Sequence, residues 1–236
     1  MAWTTRRSRP GWPSCSAPNP FLATVGLRVG PAPAGSGLRF ELETELGSLP
    51  LAFRTAIEET VHATLRQGLH GWQVTDCVVM LTRSGYWPRQ SHAHGTFDKS
   101  MSSTAGDFRN LTPLVLMTAL RQAGTSVQEP VNRFRLEIPA ELAGSVLPVL
   151  ARLRAIARTV QTRGPLGIVD GHIPVARVRE LEQQLPALTR GEGVLECAFS
   201  HYQEVRGAIP ERPRLDHDPL SRKEYLLRVA RGVTGS

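Results

Sequence analysis

Lysine is scarce in this sequence, although the chain is strongly basic. Of 28 basic residues only Lys99 and Lys223 are lysines, and the formal net charge is +7. The remaining basic residues are arginines, whose planar guanidinium can donate two parallel hydrogen bonds to a phosphate. A codon bias in the genome explains the arginine excess equally well. The positive balance itself favours an anionic partner.

Cysteines and long apolar runs are also few. Cys15, Cys77 and Cys197 are odd in number and far apart, so they fit neither a disulfide framework nor a zinc pattern. Cys77 and Cys197 lie in apolar, strand-like runs and are expected to be small, reduced core residues. No apolar run approaches the roughly 20 residues that cross a bilayer, and the start lacks the apolar segment of a signal peptide. We therefore expect a cytoplasmic protein without membrane contact.

Several catalytic and cofactor motifs are missing. Neither lysine follows a glycine, so the chain has no P-loop for a nucleotide, and no Gly-x-Ser-x-Gly or His-Glu-x-x-His motif is present. His92 and His94, with Asp98 nearby, are the best metal candidates, but no further ligand stands at convincing spacing. We predict no catalytic residue, no metal and no cofactor; a metal-dependent enzyme built on these histidines is the last of three hypotheses.

Hydrophobic periodicity predicts an α+β protein with two modules. In the first, strands precede a helix in which Phe53, Ile57, Val61 and Leu65 share one face. Gly68 is expected to end that helix in a left-handed cap. A strand over residues 74–82 and a long segment follow, and then a second helix.

The second helix has a clear start signal. Thr104 and Asp107 have the spacing of a capping box, and Gly124 marks the stop. Pro113 should kink this helix or mark a first turn that is not fully helical. After it, the order strand, helix, two strands, helix and strand is typical of the split βαβ ferredoxin-like unit.

The segment "SGYWPRQSHAHGTFDKSMSSTAGDFRN", from Ser84 to Asn110, is the strongest functional signal in the residues themselves. Tyr86, Trp87 and Pro88 follow a strand into a long polar stretch, and such aromatics suit stacking on bases, with Arg89 and Lys99 available for phosphates. The alternative is that Tyr86 and Trp87 fold back onto their own sheet.

Several long motifs in order resemble one family. The stretches "PNPFLATVGLRV", "QGLHGWQVTDCVVML", "STAGDFRNLTPLVLMTALRQAGT" and "EPVNRFRLEIP" resemble the C-terminal half of the tetracycline-resistance ribosomal protection proteins, which are elongation factor G-like GTPases. The resemblance runs from about Pro18 to the C-terminus. It implies domain IV over 18–129, an α/β module like ribosomal protein S5 domain 2, and a ferredoxin-like domain V over 130–206. Residues 207–236 would form a basic tail with a C-terminal helix, and residues 1–17 a disordered or non-matching leader.

The resemblance also implies partners and contact residues. In the family, a domain IV loop reaches rRNA at the decoding region of the small ribosomal subunit and dislodges tetracycline. The implied loop contacts here are Tyr86, Trp87, Pro88 and Arg89. The C-terminal helix would contribute Arg222, Lys223, Tyr225 and Arg228.

Two departures from the family pattern leave alternatives open. The segment after Pro88 is longer than in the family, and the GTPase domain, which binds GTP and Mg²⁺ in the intact family, is not in this sequence. The leading hypothesis is a non-catalytic, monomeric, ribosome-binding portion of a protection protein. The alternatives are an inert truncated remnant and the domain IV–V arm of a translocation-type elongation factor.

Overall fold

The computed structural model describes residues 2–5, 19–45, 47–88 and 102–233, the first four and the last four as backbone only. The chain divides into two compact units. We call residues 3–127 together with 208–236 the N-terminal unit. Residues 128–207, with the first two residues of the chain, form the ferredoxin-like unit.

The N-terminal unit places helices on a three-stranded sheet. Its elements are β2 (Ala23–Pro31), β3 (Leu38–Leu42), α1 (Leu51–Thr64), β4 (Cys77–Tyr86), α2 (Ala105–Ala123) and, near the C-terminus, α5 (Arg222–Val233). The strand order is β2-β4-β3, with β2 antiparallel and β3 parallel to β4. The strand β4 is therefore the centre of the sheet, and the long polar segment leaves from its end.

The core of this unit is formed by the faces that periodicity predicts. Ile57 and Val61 of α1 are fully buried, and so are Phe108 and Leu120 of α2. α2 packs against both α1 and β2. Burial of such side chains stabilises the fold by about 1.5–3 kcal/mol each, which holds the start of α2 beside the end of β4.

The ferredoxin-like unit has the predicted order of strands and helices. Its elements are β5 (Thr125–Pro139), a 3₁₀ turn (Ala140–Leu142), α3 (Ala143–Arg152), β6 (Ile156–Arg163), β7 (Leu166–Pro174), α4 (Val175–Thr189) and β8 (Val194–Glu204). The antiparallel order is β8-β5-β7-β6. The predicted α+β class with two modules is confirmed.

One face of this second sheet carries the core. Phe134, Leu136 and Ile138 of β5 are buried with residues of α3 and α4, such as Leu150 and Leu181. Every residue of β6 is exposed, and β8 is exposed except for two partly buried positions. The two outer strands thus extend beyond the cover of the helices.

Within the leader, Ala2–Thr5 form a strand, β1, beside β5, and residues 6–17 lie outside the described part of the chain. Two expectations from the sequence are wrong in detail. Cys197 is exposed because it lies in the outer strand β8, whereas Cys77 is buried as expected. Gly68 does not adopt a left-handed cap; a Cβ there would lie 2.5 Å from Val74 Cγ2, so close packing is what requires glycine.

The helix α2 continues through its proline. It runs from Ala105 to Ala123 with Pro113 in its interior, so Pro113 does not mark an irregular first turn. The predicted capping box at Thr104 and Asp107 is confirmed, and Gly124, with φ +74°, ends the helix as expected.

Candidate nucleic-acid interface

The polar segment after β4 is closed at its base by a serine. The Trp87 N–H donates to Ser103 Oγ at 2.7 Å, and the Ser103 N–H donates to the Trp87 carbonyl at 3.1 Å. The Ser103 hydroxyl in turn donates to the Leu22 carbonyl at the start of β2. Residues 87 and 103 are therefore held together, and we call the segment of chain between β4 and α2 the β4–α2 loop.

The start of α2 is fixed to the same place. The Asp107 carboxylate accepts the Thr104 N–H at 2.8 Å and the Leu22 N–H at 3.3 Å, while Thr104 Oγ1 accepts the Asp107 N–H at 3.3 Å. These bonds satisfy N–H groups that a helix start would otherwise leave unpaired. Both ends of the β4–α2 loop thus rest on a rigid base.

The two aromatic residues at the end of β4 have different environments. Tyr86 is 38% exposed, and its ring lies edge-on to Phe53, 5.7 Å between centroids; Phe53 stacks on buried Phe108 at 4.7 Å. Trp87 is 61% exposed. Tyr86 is therefore anchored to the core, whereas the Trp87 indole is open to a partner.

Of the remaining candidate residues in the loop, the structure describes Pro88 but none of those that follow it. Pro88 is exposed at the point where the loop leaves its base. Arg89, together with His92, His94, Asp98 and Lys99, lies outside the described residues. Among the residues that are described, no group of three or more His, Cys, Asp or Glu side chains could hold a metal ion.

The C-terminal helix α5 is attached to the second turn of α2. The Tyr225 hydroxyl donates to the Asn110 carbonyl at 3.0 Å. Burial, and to a smaller extent the negative charge of Asp216, raises the pKa of Tyr225 to about 12. This residue faces inward and anchors the helix.

The basic candidates of α5 are oriented differently from Tyr225. Lys223 and Arg228 are exposed, whereas Arg222 is partly buried. Asn110 lies on the same helix as the loop base, only seven residues after Ser103. The base of the β4–α2 loop and the Tyr225 contact of α5 therefore both lie at the start of α2, and we call this part of the N-terminal unit the loop end.

A strap of residues 210–216 fixes the segment that leads to α5. The Trp72 indole donates to the Pro210 carbonyl at 2.7 Å, and the Arg212 N–H donates to the His70 carbonyl at 2.9 Å. Gly71 allows this approach, because with φ +76° a Cβ there would lie 1.8 Å from the Arg212 carbonyl oxygen.

Arg214 completes the strap. Its guanidinium donates to the carbonyls of Gln67 and Gly68, and it pairs with Asp216 at 2.9 Å. The Gln67 side-chain oxygen accepts the Leu215 N–H at 2.7 Å. The strap thus makes the C-terminal segment part of the N-terminal unit.

Sequence reasoning identified the loop and α5 but missed what holds them in place. Ser103, Asn110 and the strap arginine Arg214 carried no local signal, because each binds a partner far away in the chain. The capping box beside Ser103 was the only hint that this position is rigid. In the described part of the chain, no helix is both long and apolar enough to span a bilayer.

Comparison with known families assigns both units. Residues 14–124 match the family described as elongation factor G, domain IV, and residues 126–213 match the elongation factor G C-terminus. The chain is 46% identical over 205 residues to the oxytetracycline resistance protein of Streptomyces rimosus, covering 86% of this chain and 29% of that protein.

Other relatives and a solved structure agree. The tetracycline resistance protein TetM of Streptomyces lividans is 50% identical over 174 residues, which is 74% of this chain and 25% of that protein. The chain therefore spans between a quarter and a third of these curated relatives. A crystal structure of a Thermus thermophilus protein is similar with a TM-score of 0.60 and 25% identity, covering 88% of this chain and 27% of that one.

Proposed function

Because the chain belongs to the elongation factor G family, represented by its domain IV and C-terminal domain, we propose that it binds the ribosome through the loop end. The proposed contact is rRNA of the small subunit near the decoding region, where the β4–α2 loop displaces tetracycline. The names of the relatives, which are tetracycline and oxytetracycline resistance proteins, support this direction over translocation.

The observation that carries this proposal is the exposed Trp87 on a closed base. The Trp87 indole is 61% exposed, so its ring is accessible for stacking on an unpaired base. Its backbone is held on both sides by Ser103, so the indole is presented without a large ordering cost on binding. Stacking on a base is worth roughly 1–3 kcal/mol.

Charge at the loop end supports an RNA partner. Lys223 and Arg228 are exposed on α5, which Tyr225 fixes against α2. Cationic side chains neutralise backbone phosphates and release counterions, so binding should weaken steeply with salt. In this proposal the chain's own residues act by contact alone, and GTP and Mg²⁺ have no part in the binding step.

The test is binding of the purified chain to small ribosomal subunits, with and without tetracycline, over a salt series. Trp87→Ala should weaken binding roughly tenfold, and the wild type should compete with the drug. Phe199→Ala is the matched control, since Phe199 is also an exposed aromatic, at 59%, but lies in the ferredoxin-like unit.

Three results would contradict the proposal. Equal loss of affinity in Trp87→Ala and Phe199→Ala would remove the special role of the loop end. Drug-independent binding with no competition would instead favour the arm of a translocation-type factor, and no binding by the wild type would favour an inert remnant.

A further inference from the structure

In the described part of the ferredoxin-like unit, α3 and α4 pack on one face of the sheet, and the other face carries polar side chains. Phe134 and Leu136 of β5 point into the core, so Arg133 and Arg135, which alternate with them, belong to the opposite face. Arg133 pairs across the sheet with His172 of β7, and Arg135 pairs with Asp170. Residues directly opposite in a sheet share a face, so these four side chains define the open face.

One half of this open face is balanced in charge. The Arg135 guanidinium lies 3.1 Å from Glu137 and 3.8 Å from Asp170. Glu196 of β8 is the register partner of Arg135 on its other side. Arginine and carboxylates therefore compensate one another in this half.

The other half gathers basic groups from all four strands. Arg158 of β6 donates from Nε to His172 Nδ1 at 3.1 Å, and the His172 ring lies 5.3 Å from the ring of His201 of β8, nearly perpendicular to it. Arg133 of β5 is the register partner of His172, and Val131, two residues earlier on β5, is the partner of His201. We call Arg133, Arg158, His172 and His201 the basic cluster.

The basic cluster has no acidic compensation. Among the described residues, none of its four side chains forms an ion pair with a carboxylate. Burial, followed by the charges of Arg158, His201 and Arg133, lowers the pKa of His172. The basic side chains beside this ring favour an anion.

The side chains of the basic cluster can stack on nucleic-acid bases as well as bind phosphates. Arginine guanidinium planes and histidine rings both stack on unpaired bases, and RNA-recognition modules with a four-stranded sheet use the uncovered face for this purpose. Arg133, Arg158 and His201 are exposed and His172 is partly so, which leaves their planes accessible. Arginine forks supply phosphate contacts at the same place.

We propose that the basic cluster on the open face of the ferredoxin-like unit binds single-stranded RNA, with arginines on the phosphates and histidine rings stacked on bases. This site belongs to a different unit of the chain from the loop end. It does not depend on the chain binding ribosomes.

The probe is a labelled single-stranded RNA of about a dozen nucleotides, followed by fluorescence anisotropy with the full chain. Arg133→Gln with Arg158→Gln should weaken binding roughly tenfold or more. The slope of log affinity against log salt should fall by about 1.4, because two phosphate contacts are lost on a single strand. The matched control is Arg177→Gln with Arg179→Gln, which removes the same charge from α4 in the helical layer.

A second variant separates stacking from charge. His201→Asn alters an exposed side chain, so folding should be preserved. It should lower affinity roughly fivefold with the salt slope unchanged. Trp87→Ala should leave binding of this RNA intact, which distinguishes the basic cluster from the loop end.

Three outcomes would overturn the proposal. They are equal affinity of the two double-arginine variants, an unchanged affinity in His201→Asn, and equal binding of double-stranded and single-stranded RNA. The first would reduce any binding to net charge. The second and third would remove the bases from the interaction.

Discussion

The N-terminal unit and the ferredoxin-like unit both pack helices on a sheet, but they expose different parts of that arrangement. In the N-terminal unit the accessible groups are on a loop and a terminal helix, at Trp87 and Lys223 for example. In the ferredoxin-like unit they are in the strands themselves, because β6 and β8 extend beyond the helices. A loop surface depends on the contacts that hold its base, whereas a sheet surface depends on register.

This difference determines how each surface can be damaged. The loop end is held by bonds between distant parts of the chain, such as the one from Ser103 to Leu22. The basic cluster needs only that β5, β6, β7 and β8 keep their register, and the alternating core residues fix the face of the central strand β5. Single substitutions away from the surface should therefore affect the loop end more readily.

The largest expected effect tests whether the two units unfold separately. Phe108→Ala and Phe134→Ala each remove a buried aromatic, one per unit, and should each destabilise by about 3–5 kcal/mol. Trp72 and Trp87 lie in the N-terminal unit, so their fluorescence reports on that unit. Phe108→Ala should lower the midpoint of unfolding that is followed by fluorescence. Phe134→Ala should leave that midpoint unchanged and lower the midpoint of only one part of the unfolding transition that is followed by far-ultraviolet circular dichroism.

If the fluorescence and circular dichroism midpoints shifted equally in both variants, the idea that the two units unfold separately would be contradicted. The two units would then unfold as one cooperative structure. The wild type, measured by both methods under the same conditions, is the reference.

The sequence alone was sufficient wherever a signal is local. Thr104 and Asp107 are three residues apart, so their capping box was visible, and the βαββαβ order followed from alternating periodicities. The expectation for Cys197 failed because an apolar, strand-like run does not reveal whether a helix covers that strand. The sequence pattern of β8 resembles that of a buried strand, yet its position at the edge exposes it.

Long-range contacts explain most of what could not be predicted. Arg214 binds the carbonyl of Gln67 across 147 residues, and no pattern within a window of sequence links them. The basic cluster was missed for the same reason, since its four members come from four strands. Only the register of the sheet brings Arg158 to His172.

A smaller effect is expected from Ser103→Ala, which removes the bonds that close the β4–α2 loop. The Trp87 N–H and the Leu22 carbonyl would lose a partner, so the free energy of unfolding should fall by about 1–2 kcal/mol. Urea unfolding followed by tryptophan fluorescence measures this. Ser48→Ala is the control, because its hydroxyl makes one exposed bond to Glu45 and its loss should stay within about 0.5 kcal/mol.

Ser103→Ala should also speed amide hydrogen exchange at Trp87. Exchange as slow as in the wild type would show that the serine does not hold the base of the loop. Trp87 would then be presented by other contacts.

The smallest expected effect is that of Tyr225→Phe, which removes the hydroxyl that anchors α5 to Asn110. One hydrogen bond is lost, so the free energy of unfolding should fall by about 1 kcal/mol near neutral pH. Tyr202→Phe, which removes a hydroxyl from an exposed ring, should stay within about 0.5 kcal/mol.

The pH dependence of stability in Tyr225→Phe tests the burial of the Tyr225 side chain rather than its hydrogen bond to Asn110. The folded-state pKa is raised from 10.0 to about 12, so above the lower value the unfolded chain releases a proton that the folded chain retains. Stability is therefore fully present below pH 10 and declines as the pH rises towards 12. The raised pKa of Cys77 acts in wild type and variant alike, and it cancels in their difference. The free energy of unfolding of Tyr225→Phe should therefore fall less than that of the wild type across this window. An equally steep decline in both proteins would mean that Tyr225 is solvated. The strap alone would then hold α5 at the loop end.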